Sequence, residues 1–72
     1  MNIYLPDVHH ARKELARLTE IENTLRRNII DLRTNYKGNS DALVWERIYL
    51  DRLQQNVRPA IGECLKYLAK HA

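Results

Sequence analysis

The sequence predicts an all-α protein built as an antiparallel helical hairpin, and three observations predict it. Val8, Ala11, Leu15, Leu18, Glu22, Leu25, Ile29, Leu32 and Tyr36 follow one another at alternating steps of three and four residues, the seam of a helix that lies along another helix. A second apolar run of similar length follows it. Between the two stands a single clear turn, Lys37-Gly38-Asn39-Ser40, and short connections of this kind join antiparallel neighbours. Phenylalanine is missing and glycine occurs twice. Strand-favouring residues never alternate over a useful length, so no sheet is expected.

The elements are expected in this order within one domain spanning 1–72. Ile3, Tyr4 and Leu5 form a short apolar lead that stops at Pro6. Proline suits a first helical turn and Asp7 suits the positive end of the helix dipole, so helix 1 is placed over about 7–36. Leu5 or Tyr4 then folds back on the first turn as a hydrophobic staple. Along the outer face, Glu22 with Arg26 and Arg27 with Asp31 are one-turn ion pairs, each worth a few tenths of a kcal/mol.

The turn covers 37–40, with Gly38 ending helix 1 in left-handed geometry and Ser40 capping the next helix. Helix 2 is placed over about 41–71, with Leu43, Leu50, Leu53, Val57, Ile61, Cys64 and Leu68 on its inner stripe. Pro59 lacks an N–H and crowds the carbonyl of Gln55, which predicts a kink or break near residues 56–58. Gly62 weakens the same stretch. Pairing the arms about the turn sets Leu32 near Leu43, Ile29 near Leu50, Leu25 near Leu53, Glu22 near Val57, Leu18 near Ile61 and Leu15 near Cys64.

A chain of 72 residues buries only about 60–65% of its unfolded surface, so its core is marginal without an addition. One cysteine, Cys64, excludes an internal disulfide and fits a reducing compartment. No Cys/His set offers four zinc ligands. Oligomerisation remains, and two hairpins pairing into a four-helix bundle would cover the apolar surface that one leaves wet. Neither a membrane-length apolar run nor a signal-peptide pattern is present, and a cytoplasmic location is expected.

Val44, Trp45, Ile48 and Arg52 fall at about 100–200° from Leu43 around helix 2. A tryptophan beside β-branched residues and an arginine has the make-up of an interface hot spot. It serves either self-association or a foreign protein. Arg12, Arg26 and Arg33, spaced by multiples of seven, line one edge of helix 1. They form either a ridge that follows phosphates or an ordinary row of coiled-coil charges mixed with acids. The net charge of +3 is too mild to favour nucleic acid strongly.

His9, His10 and His71 belong to the open end of the hairpin, where His10 and Glu14 offer two ligands one turn apart; a solvated helix end accounts for them as well. Cys64 lies on the core stripe, where a thiol behaves as a small hydrophobe. Glu22, the polar residue on the seam, is either paired by Arg26, Arg58 or the Gln55 carbonyl, fixing register, or it reaches water. Catalytic sets, cofactor motifs and a small-molecule site are not expected.

In size and layout the chain resembles the Rop-like hairpin regulators of plasmids and phages, and that resemblance implies a dimeric four-helix bundle with an RNA partner. The residues themselves point first to a non-enzymatic protein-binding regulator that works as a homodimeric hairpin, and in size and helical make-up it is similar to the small proteins with which phages or plasmids inhibit a larger host protein. A Rop-like RNA binder and a purely structural coiled-coil piece are the alternatives.

Overall fold

The computed structural model describes residues 4–72; Ile3, part of the apolar lead, lies outside them. The described residues form an all-helical hairpin. Helix α1 runs Val8–Asn35, α2 runs Ser40–Arg52, a π-helical turn follows at Leu53–Val57, and α3 runs Arg58–His71. The molecule measures 47 × 17 × 14 Å, one helix pair thick. No strand occurs among the described residues.

Asp7 is the N-cap of α1 and not its first helical residue, with its carboxylate accepting the His10 N–H at 2.8 Å. Pro6 therefore lies before the cap. Leu5 packs beside Leu18, Ala60 and Cys64, so it reaches across to α3 where a staple on its own helix was expected, and Tyr4 is 86% exposed. At the other end Gly38 takes φ +83°, the left-handed geometry that ends a helix without steric cost.

Three local expectations are corrected. The cap of α2 is Asn39 in place of Ser40. Its carboxamide oxygen accepts from the N–H groups of Asp41 and Ala42 at 2.8 and 3.2 Å, while Ser40 is already helical. Arg27 pairs with Glu20 at 3.7 Å and Asp31 takes the amide of Asn35. Leu43 is 62% exposed and Ala42 is buried in its place. The inner positions of the second arm are thus Ala42, Glu46, Tyr49, Leu53, Val57, Ala60, Cys64 and Tyr67, all buried or half-buried.

That corrected stripe also accounts for the middle of the arm. Its steps are 4, 3, 4, 4, 3, 4 and 3, and a doubled four-residue step asks a packed helix to unwind locally. The π turn supplies the unwinding, with the Arg58 N–H donating to the Leu53 carbonyl five residues back. Pro59 follows at once, where its missing N–H and its ring would disturb an ordinary α turn. Of the kink or break expected near residues 56–58, the break does not occur: helicity runs through Pro59, and the irregularity is a π turn at Leu53–Val57.

Two clusters form the core, Leu25 with Leu53 and Val57, and Leu18 with Ala60 and Cys64. Ile61 touches both. Among the described residues only nine side chains are buried, three of them alanine.

Candidate functional site

A two-helix layer has two open flanks, and at about 100° per residue the facing positions decide which side chains lie on each. Trp45, Ile48 and Arg52 fall on one flank, beside Ile21, Thr24 and Asn28 of α1. Arg26, Ile30 and Arg33 fall on the other, beside Leu43, Leu50 and Arg58. The two sets of interface residues picked out from the sequence therefore occupy opposite sides of the hairpin.

On the first flank Trp45 and Ile48 are 52% and 40% exposed. The indole lies 6.0 Å from the Tyr49 ring, and Tyr49 is anchored against the core cluster of Leu25, Leu53 and Val57. Val44, also exposed, points furthest from α1 and stands about 100° around the helix from Trp45. Toward the open end the same flank continues into a hollow of 460 Å³ lined by Leu5, Glu63, Lys66, Tyr67, Lys70 and His71. The spacing of 63, 66, 67, 70 and 71 marks a helix face, yet sequence reasoning missed the hollow because Leu5 completes it from outside the helix.

On the second flank Arg26, Arg33 and Arg58 surround a floor of Ile29, Ile30, Leu50 and Leu53. Ile30 is 61% exposed. The guanidiniums are tethered. Arg33 pairs with Glu46, and Arg26 and Arg58 lie 3.7 and 3.8 Å from one oxygen of Glu22. Glu22 is half-buried, level with the π turn that delivers Arg58. Arg12 is exposed nearer the open end. The sequence offers Arg58 only as a partner for Glu22; its place beside Arg26 and Arg33 depends on the altered register after Val57.

The histidines do not converge on a metal. His10 bonds Asp7 at 3.2 Å, Glu14 bonds Arg17, and His71 stacks on Tyr67 with ring centres 4.3 Å apart. No group of three metal-ligating side chains forms among the described residues. The bond from His10 N–H, reinforced by its ring, holds the Asp7 carboxyl below the usual range. The Arg17 guanidinium does the same for Glu14. Burial pushes the Cys64 thiol up, which suppresses its thiolate.

No helix among the described residues is long and apolar enough to cross a membrane. The chain matches no family model, no curated protein and no solved structure.

Proposed function

We propose that this chain is a small non-enzymatic protein-binding regulator that works as a homodimer of helical hairpins. The observation that carries the reading is apolar surface on both flanks of a layer one helix pair thick. Trp45, Ile30, Leu43 and Leu65 are each more than half exposed.

One flank is then covered by a second copy and the other engages a larger protein. A protein suits the arginine-lined groove better than a phosphate backbone does. Its floor is aliphatic, Ile29, Ile30, Leu50 and Leu53, which a phosphate backbone would leave wet and an apolar helix face would cover. An acidic amphipathic helix laid into that groove would bury the floor and take its charges from the rim. This makes the chain a regulatory or inhibitory partner, with no chemistry of its own.

The test is capture from the native cell with the tagged chain, analysed for both protein and nucleic acid. The expected result is a protein partner that is lost when Arg26→Ala and Ile30→Ala are combined, with far-UV helicity unchanged. Capture of nucleic acid instead, with affinity falling steeply as salt rises, would overturn the proposal in favour of an RNA-binding regulator.

A further inference from the structure

The dimer reading leaves open which flank the second copy covers. We propose that it is the Trp45 flank, with the two hairpins packed face to face and head to tail about a two-fold axis that crosses at the level of Ile21 and Asn56. The inference rests on the dimer reading and goes beyond it by fixing the face and the register.

Charge separates the flanks. An isologous contact places a surface against itself turned by 180°, so positive residues must meet negative ones after that rotation. The groove flank fails this condition. Arg12, Arg26, Arg33 and Arg58 are spread along it, and its carboxylates, Glu22 and Glu46, are already engaged. The Trp45 flank satisfies it. Rotation about the level of Ile21 and Asn56 brings Arg52 of one copy within one helical turn of Glu63 of the other, and Asp31 within one turn of Lys13, inside the reach of these side chains. The centre, Ile21 with Thr24 and Asn56, is uncharged, and the nearest charge on the same stripe, Arg17, is paired with Glu14 of its own chain, so no unpaired charge enters the interface core.

Shape agrees with charge. The same rotation carries Trp45 of one copy to the level of Tyr67 of the other, over the hollow lined by Leu5, Lys66, Tyr67 and Lys70. The indole leaves half its surface outside its own hairpin, and the hollow offers an aromatic ring with two cationic side chains beside it. Aromatic packing and cation–π attraction both favour an indole there. Trp45 becomes the central anchor of each half of the interface, and the arginine-lined groove stays open for the foreign partner.

The experiment uses the full chain alone, followed by sedimentation from nanomolar to high micromolar concentration. Expected is a dimer whose dissociation constant rises about thirtyfold or more in Trp45→Ala, with helicity retained. Arg52→Glu weakens the dimer, and Arg52→Glu combined with Glu63→Arg restores it. The rescue is diagnostic because positions 52 and 63 lie on one arm about 16 Å apart, out of reach within a chain. With Cys64→Ala as background, Ile21→Cys oxidises to a covalent dimer while Ile30→Cys does not. A dimer that is indifferent to Trp45→Ala and Arg52→Glu, or one that cross-links through Ile30→Cys, overturns the face and leaves the dimer standing. A chain that stays monomeric at every concentration overturns both.

Discussion

Leu43 and Leu53 occupy the same apolar stripe when the second arm is read as an ideal helix, yet the structure gives them opposite environments. Leu53 is 3% exposed and packs with Leu25 and Val57. Leu43 is 62% exposed. Leu53→Ala removes a buried isobutyl group from a cluster of three and leaves a cavity between helices held apart by their neighbours. The cost is about 3 kcal/mol. At about 0.05–0.15 kcal/mol per residue a chain of this length has roughly 4–11 kcal/mol in total, so this one change removes between a quarter and three quarters of it.

Leu43→Ala surrenders only the shielded third of its side chain, less than about 1 kcal/mol, and the two residues barely differ in helix propensity. The assay is urea unfolding followed by helicity, with both variants at one low chain concentration so that self-association does not add to the apparent stability. Equal losses in the two variants, or a larger loss in Leu43→Ala, would refute the Ala42 register and restore the one in which Leu43 faces α1.

Three further outcomes follow from local geometry. Asn39→Ala should cost about 1 kcal/mol by orphaning the Asp41 and Ala42 N–H groups, whereas Ser40→Ala should cost a few tenths at most; thermal melts of the two separate the caps. Asp7 and Glu14 have folded-state carboxyls below their ordinary values, so the stability they contribute is present above the unfolded pKa values, near 4. It is lost as pH falls through the lower folded values. The protection of the first-turn amides of α1, measured as exchange relative to the intrinsic rate at each pH, should therefore fall below about pH 4, and pH-independent protection would contradict the Asp7 cap. Cys64 is fully buried with a raised pKa, so a thiol reagent should label it at the rate of unfolding and not at the rate of an exposed thiol.

The helical hairpin is legible in the order of residues alone. The seam of α1 from Val8 to Leu32 is an alternation that only a helix packed along a helix explains, and every one of those positions is buried or half-buried. Gly38 marks the turn for an equally local reason, since φ +83° strains any residue with a Cβ. The cap falls one residue before Ser40, because Asn39 and Ser40 are both competent and side-chain reach to the Asp41 and Ala42 N–H groups decides between them.

The register of the second arm comes from packing against α1. Alone, α2 is apolar around much of its circumference, with Ala42, Leu43, Val44 and Trp45 consecutive. No periodicity then says which of them faces α1. The choice falls to Ala42 because that phase brings Leu53 and Val57 onto Leu25, and Ala60 and Cys64 onto Leu18, once one π turn absorbs the doubled step. The same phase sets Trp45 and Arg26 on opposite flanks and brings Arg58 beside Arg26 and Arg33. A helix shows its own stripe in its sequence, but which edge of that stripe meets a neighbour is settled by the neighbour.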